Sequence, residues 1–264
     1  MRPFLYRTGG LALAALLLVA TPACSGPIRD RIYYPEPMPT TAPVWTGRAP
    51  VEVTATTADG LTLRGYWWPP EQAGGDVLVF FHGNAGNRQG WAEATQALAA
   101  GGHGLLVVDY RGYSDNPGKP TQTGLFADGE AFLALAKTLA PESRLYLFGY
   151  SLGGAVALEM AARHEVGGVV TLGAFAALAD LAPAIARPFL PDRYDNRAAI
   201  ARVTEPVLLI HGTADEIIPF DQMGELKAAS TGKVRTFKLE GAGHHIDFAK
   251  LAPQVWSNIA EMPH

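Results

Sequence analysis

After residue 50 the chain alternates short apolar runs with segments of helical spacing. Residues 51–55 and 61–67 alternate apolar and polar positions around Asp59-Gly60, which predicts an antiparallel hairpin. Most of the later runs are continuously apolar, as is typical of strands buried on both faces. These predicted strands cover residues 77–81, 105–108, 145–148, 169–172, 207–210 and 234–239. Predicted helices cover residues 91–100, 128–139 (with Asp128 as its cap), 152–163, 222–229 and 248–259.

This alternation predicts the α/β class, with a mostly parallel central sheet, helices on both faces and an N-terminal antiparallel hairpin. Residues 175–197 lie between two strands, and three prolines break this stretch into the short pieces expected of a small cap. No repeat or linker follows residue 50, so residues 51–264 are predicted to form one domain. The length of 264 residues suits one such domain.

The first residues have the pattern of a targeting signal. Arg2 and Arg7 precede an apolar run over 11–20 that is shorter than the ~20 residues of a spanning helix. We therefore predict a secretory signal peptide over residues 1–23. Cys24 follows directly and resembles the lipidated cysteine of a bacterial lipobox, although Thr21 stands where that motif usually has an aliphatic residue. Plain secretion, an uncleaved anchor and a buried structural cysteine are the alternatives.

Residues 24–50 are rich in proline and are predicted to form a tether that packs on the domain through Tyr33, Tyr34 and Trp45. Together with the signal, this places the protein in the bacterial cell envelope, facing the periplasm or exterior. If Cys24 is acylated, a lipid anchor attaches the protein to the membrane.

Charge and cysteine content exclude several other functions. Lys and Arg total 21 against 25 Asp and Glu, so no basic surplus indicates a nucleic-acid partner. The single Cys excludes an internal disulfide and a Cys-based zinc site. No cofactor motif is present, and we expect neither a metal nor an organic cofactor.

Four motifs stand at the ends of predicted strands. Residues 149–153 read G-Y-S-L-G and open a helix, a context in which a sharp turn lifts a serine side chain clear of the sheet. The other three are H-G-N-A-G-N over 82–87, H-G-T-A-D-E-I-I-P over 211–219 and G-A-G-H-H over 241–245. Their order along the chain resembles that of the α/β-hydrolase superfamily, over roughly residues 50–264.

The resemblance implies a role for individual residues. Ser151 aligns with the superfamily's nucleophile. Asp215 aligns with its triad acid, with Glu216 as the alternative. His244 aligns with its base, with His245 as the alternative.

The same resemblance implies further roles around this triad. The backbone N–H groups of Asn84 and Leu152 would form the oxyanion hole, while His82 and His211 would be structural. A second G-x-S sequence ends at Ser114, but Asn116 stands where the second glycine should be. That stretch resembles a structural loop of the superfamily.

Within the superfamily, the motifs look most like the branch of BEM46-like, ABHD13/ABHD17-type and serine aminopeptidase-like proteins. This resemblance implies a serine hydrolase with a minimal lid that cleaves carboxylic esters or thioesters through an acyl-enzyme. A serine peptidase and a non-catalytic binding protein of the envelope are the alternatives. The expected partner is a small-molecule acyl substrate, and the oligomeric state stays open. Apolar residues near the predicted site are expected to contact a short or medium acyl chain; they are Phe175, Phe189, Leu190, Ile217 and Ile218.

Overall fold

The computed structural model describes residues 26–262, so the predicted signal peptide and Cys24 lie outside the described residues. The strands are β1 (Tyr34–Pro35), β2 (Val51–Thr56), β3 (Thr62–Trp68), β4 (Val77–Phe81), β5 (Ala85–Gly86), β6 (Gly104–Val107), β7 (Leu145–Tyr150), β8 (Gly168–Leu172), β9 (Val207–Gly212) and β10 (Val234–Leu239). The α-helices are α1 (Gly26–Arg29), α2 (Arg88–Thr95), α3 (Gln122–Leu139), α4 (Leu152–Ala161), α5 (Asn196–Ile200), α6 (Asp221–Ala229) and α7 (Phe248–Ala260). Short 3₁₀ segments cover Gln96–Gly102, Leu178–Leu181 and Arg187–Phe189.

Eight of the strands form one sheet, in the order β10-β9-β8-β7-β4-β6-β3-β2. The pairs β2–β3 and β3–β6 are antiparallel, and all other neighbours are parallel. The predicted hairpin and mostly parallel sheet are therefore confirmed. The carboxyl ends of the parallel strands share one edge of the sheet, where ligands bind in open α/β folds.

Both faces of the sheet are covered. Along β4, Val77, Val79 and Phe81 belong to one hydrophobic cluster, whereas Leu78 and Phe80 belong to a second. The first cluster includes side chains of α3, α4 and α6, and the second includes side chains of α2 and α7. This period-two division, with helices on each side, explains why the strand is apolar at every position.

One cap assignment was wrong. Helix α3 begins at Gln122, where the Thr121 side chain accepts a hydrogen bond from the backbone N–H of Gly124 (3.0 Å). Asp128 lies inside the helix, fully buried, and its carboxylate accepts from the backbone N–H (2.9 Å) and guanidinium (2.8 Å) of Arg111. The Asp128 carboxylate thus binds Arg111 and does not cap the helix. The first turn of α3 was missed because Gln122, Thr123 and Gly124 give no apolar spacing.

The N-terminal segment lies against the sheet domain. Tyr33 is buried, and the Trp45 ring makes edge contacts with the rings of Tyr66 and Trp68. The predicted packing of Tyr34 was wrong: the residue is 50% exposed and is held by backbone pairing in β1. The division of the chain at residue 50 stays a prediction. Among residues 26–262, no helix has the length and apolar character needed to cross a membrane.

Candidate active site

Ser151 occupies a strained turn between β7 and α4. Its backbone has φ of 51° and ψ of −116°, a conformation that non-glycine residues rarely adopt. Its N–H donates to the carbonyl of Leu172 on β8 (2.8 Å), which ties the turn to the neighbouring strand. Such strain persists only where the surrounding structure enforces it, and it concentrates at functional sites.

The surrounding glycines make this turn possible. A Cβ atom at Gly149 would lie 2.3 Å from the carbonyl oxygen of Gly153. A Cβ at Gly153 would lie 2.0 Å from the carbonyl oxygen of Phe81 and 2.6 Å from that of His82. The turn therefore packs directly on the backbone at the end of β4, and no side chain fits at either glycine.

We expect Gly153→Ala to lower the free energy of unfolding by about 3 kcal/mol, because the added methyl group overlaps backbone atoms that cannot move aside. Gly224→Ala is the matched control, since a Cβ at Gly224 in α6 would meet nothing within 4 Å. That control should be neutral or slightly stabilising. Urea unfolding measures both changes, and an unchanged midpoint for Gly153→Ala would contradict the close approach.

Asp215 and His244 meet in loops that follow β9 and β10. The Nδ1 atom of His244 lies 2.8 Å from Oδ2 of Asp215, and both side chains are almost fully buried. The second carboxylate oxygen accepts the backbone N–H groups of Ile217 (2.9 Å) and Ile218 (2.8 Å). The acid is thus held from both sides, with one oxygen directed at the imidazole.

Several groups stabilise the charged form of Asp215. Burial alone would raise the pKa of its carboxyl, but hydrogen bonds from His211, His244 and the Ile218 backbone outweigh it and hold that pKa well below its usual range. His211 is buried, and its Nε2 lies 3.3 Å from Asp215 Oδ2 and 2.9 Å from the Ile218 carbonyl oxygen. His211 thus holds the loop that carries Asp215, as expected of a structural residue.

The structure separates the alternative residues from the pair. Glu216 is exposed, and its carboxylate accepts the backbone N–H of His244 (3.2 Å) instead of contacting the imidazole. His245 is also exposed, with its ring centroid 5.8 Å from that of His244. Asp215 is accordingly the acid in contact with the His244 ring.

The Ser151 turn over Gly149–Gly153 (the elbow), the His82–Asn87 loop and His244 converge through contacts that the sequence did not indicate. The Tyr150 hydroxyl donates to the carbonyl of His244 (3.1 Å), and the two rings lie 5.2 Å apart. A Cβ at Gly83 would lie 3.6 Å from Cβ of Ser151. A Cβ at Gly173 would lie 3.1 Å from Cε1 of His244. The Ser151 turn, the loop that carries Asn84 and the His244 loop therefore lie close together at the carboxyl edge of the sheet.

Two backbone N–H groups are candidates for an oxyanion hole. Leu152 is the first residue of α4, where helical N–H groups have no partner within the helix. Asn84 follows Gly83 on the loop that crosses the elbow. The N–H of Asn84 belongs to the same planar peptide as the Gly83 carbonyl, which accepts from Nδ1 of buried His82 (2.7 Å). His82 therefore contacts the loop backbone.

The second G-x-S serine has a local structural contact. Ser114 has φ of 54°, and its hydroxyl oxygen accepts the backbone N–H of Arg88 at the start of α2 (2.8 Å). Within residues 26–262, no group of three or more His, Cys, Asp or Glu side chains has a geometry that could hold a metal.

The five predicted substrate-contact residues differ in exposure. Phe175 and Ile218 are buried in the larger hydrophobic cluster. Phe189 and Ile217 are 53% and 55% exposed, and Leu190 is half-buried. Their role as substrate contacts stays a prediction.

Comparison with known proteins agrees with the observed fold. A family model described as alpha/beta hydrolase fold matches residues 76–199. The uncharacterized protein Rv2307c of Mycobacterium tuberculosis is 36% identical over 230 residues, covering 82% of this chain and 80% of the relative. Human alpha/beta hydrolase domain-containing protein 17B is 32% identical over 174 residues, covering 64% and 60%.

Among solved structures, the Pyrococcus furiosus esterase Pf2001 superposes with a TM-score of 0.68 at 20% identity, covering 88% of this chain and 96% of that chain. The chain therefore belongs to the α/β-hydrolase fold family.

Proposed function

We propose that this protein is a serine hydrolase that cleaves carboxylic ester or thioester bonds. The observation that carries this proposal is the strained Ser151 turn beside the buried Asp215–His244 pair, whose Nδ1 and Oδ2 atoms lie 2.8 Å apart. An imidazole held at Nδ1 by a carboxylate has the tautomer and orientation needed to take a proton at Nε2.

In the proposed mechanism, Nε2 of His244 removes the hydroxyl proton of Ser151 as the serine oxygen attacks the acyl carbonyl. The resulting oxyanion accepts hydrogen bonds from the N–H groups of Asn84 and Leu152, each contributing about 3 kcal/mol to transition-state stabilisation. His244 then donates the proton to the departing alcohol or thiol, leaving an acyl-enzyme on Ser151. Water repeats the sequence and releases the carboxylic acid.

The site gives less support to an aminopeptidase function. Capture of a free N-terminal amine requires a carboxylate directed into the site. Two exposed acids follow Asp215 along the chain: Glu216, which accepts the N–H of His244, and Asp221, in the first turn of α6. Neither contact indicates an amine site. The Pf2001 neighbour is described as an esterase, in agreement with an ester substrate.

The test uses a fluorophosphonate probe, a chain-length series of p-nitrophenyl esters and aminoacyl p-nitroanilides. We expect covalent labelling that maps to the peptide carrying Ser151, together with ester turnover far above anilide turnover. The preferred chain length then measures the acyl pocket. Equal turnover of esters and anilides would favour a peptidase. Absence of labelling in the folded protein would refute the proposal and favour a binding role.

A further inference from the structure

A short stretch of the N-terminal segment crosses the loop that carries Asn84. We define residues 29–36 as the N-terminal strap. Its strand β1 pairs in parallel with β5 at Ala85–Gly86, directly after Asn84. The N–H of Tyr34 donates to the carbonyl of Asn84 (2.8 Å), and the N–H of Glu36 donates to that of Gly86 (3.0 Å).

Asn84 is held to the strap by its side chain as well as its backbone. Its Nδ2 donates to the carbonyl of Ile32 (2.9 Å), while its own carbonyl accepts a second hydrogen bond from the Tyr113 hydroxyl (2.7 Å). The peptide on the other side of Asn84 is held through the Gly83 carbonyl and His82. The residue that offers the proposed oxyanion donor is therefore fixed on both flanks, and the strap supplies one of them.

The strap is itself anchored to residues 175–197, the segment between β8 and β9. Arg29 forms an ion pair with buried Asp192 (2.8 Å), whose carboxylate also accepts the backbone N–H of Gln122 (3.1 Å). The hydroxyl groups of Tyr33 and Tyr194 lie 2.8 Å apart, and both residues are buried. These contacts make the strap a rigid support, because a buried hydrogen-bonded pair is costly to break.

We propose that the N-terminal strap is a positioning element of the active site: it holds Asn84 so that its N–H lies where the oxyanion forms, and it connects this donor to the segment 175–197 through Asp192 and Tyr194. The proposal rests on the proposed hydrolase function. Residues 29–36 therefore belong functionally to the catalytic domain, although their proline-rich surroundings predicted a tether. Asn84, through its side chain, and Tyr33 act here by positioning.

The first test variant is Asn84→Ala, which keeps the backbone N–H and removes the hydrogen bond to the Ile32 carbonyl. Misplacing one oxyanion donor should lower kcat by about 10- to 100-fold, because this donor acts mainly in the transition state. The KM for p-nitrophenyl esters should change by less than about twofold. Affinity for a trifluoromethyl ketone, which forms a tetrahedral adduct, should fall in parallel with kcat/KM.

The second variant, Tyr33→Phe, removes only the hydroxyl contact with Tyr194 and leaves the site residues intact. A smaller fall in kcat, of about threefold to tenfold, is expected because the strap keeps its backbone pairing. Thr46→Val is the matched control: it removes a hydroxyl contact with Gln96 (3.0 Å) further along the same segment and should leave kcat unchanged. Titration with the fluorophosphonate normalises every rate to the amount of active protein.

The two proposals fail in different ways. If the wild-type protein is not labelled, the hydrolase function is wrong and the strap loses its role with it. If the wild type is labelled and both variants retain wild-type kcat and ketone affinity, the strap proposal alone is overturned. A fall in melting temperature with unchanged kcat per labelled site would likewise overturn it, because that pattern indicates a purely structural segment.

Discussion

Replacing Ser151 with alanine is expected to abolish fluorophosphonate labelling and to lower kcat for p-nitrophenyl esters by at least about 10⁴-fold. Alanine removes the Ser151 hydroxyl, so no covalent acyl-enzyme can form on this residue. The residual rate would come from binding and the oxyanion donors. Mass spectrometry after labelling and stopped assays on the same preparation measure both effects. The Ser151 side chain makes no capping hydrogen bond to α4, so the protein should still fold after the change.

Ser114→Ala is the matched control for this experiment, since Ser114 stands in the other G-x-S sequence and also has a positive φ. It should retain labelling and lose about 1 kcal/mol of stability, because the N–H of Arg88 loses its acceptor. Labelling of Ser151→Ala at the wild-type rate, or loss of labelling in Ser114→Ala, would show that the nucleophile has been misassigned.

Asp215→Asn is expected to lower kcat by about 10⁴-fold. The amide group is nearly the same size as the carboxylate, but it carries no charge to stabilise the imidazolium that forms during proton transfer. It also favours the wrong imidazole tautomer when its NH₂ group faces Nδ1 of His244. Steady-state kinetics on the optimal ester measures the effect, and circular dichroism checks that the fold is retained.

Glu216→Gln tests the other acid of the loop. Glu216 contacts only the backbone N–H of His244 among its described hydrogen bonds, so its neutralisation should lower kcat by less than about tenfold. A large loss in Glu216→Gln with a small loss in Asp215→Asn would reverse the assignment.

Since the pKa of Asp215 is held well below its usual range, any activity lost between neutral pH and pH 5 should not arise from protonation of this carboxylate.

The strands were predicted well both where every position is buried, as in β4, and at the half-exposed edge strand β10. The limits of β4 and β10 agree with the predicted 77–81 and 234–239, and the hairpin turns at Asp59-Gly60, where Gly60 has φ of 86°. Helix starts were predicted less well. Helix α2 begins at Arg88, because the Asn87 side chain caps it by accepting the N–H of Gly90 (2.9 Å), whereas apolar spacing begins only at Trp91.

The site residues also divide into those that the sequence predicted and those that it left open. The G-x-S-x-G sequence predicted the elbow, because a strand that turns directly into a helix at a packed crossing requires glycine at fixed spacing. Which of Asp215 and Glu216 contacts the His244 ring was open in the sequence, since both follow the same strand. It was decided by the backbone N–H groups of Ile217 and Ile218, which turn the Asp215 carboxylate toward His244.

The sequence by itself therefore determined the order of strands and helices, the sharp turn at Ser151 and the strand ends from which the site residues project. These properties depend on residues close together in the chain. Only the tertiary structure decided which acid meets His244, that Asp128 pairs with Arg111, and that residues 29–36 hold Asn84. The physical reason is that each of these is a contact between segments far apart in sequence, and it forms only once the sheet has set their distance. The strap shows this most clearly. Its hydrogen bonds to Asn84 and Gly86 join backbone N–H and carbonyl groups, which are present in almost any sequence and therefore give no sequence signal.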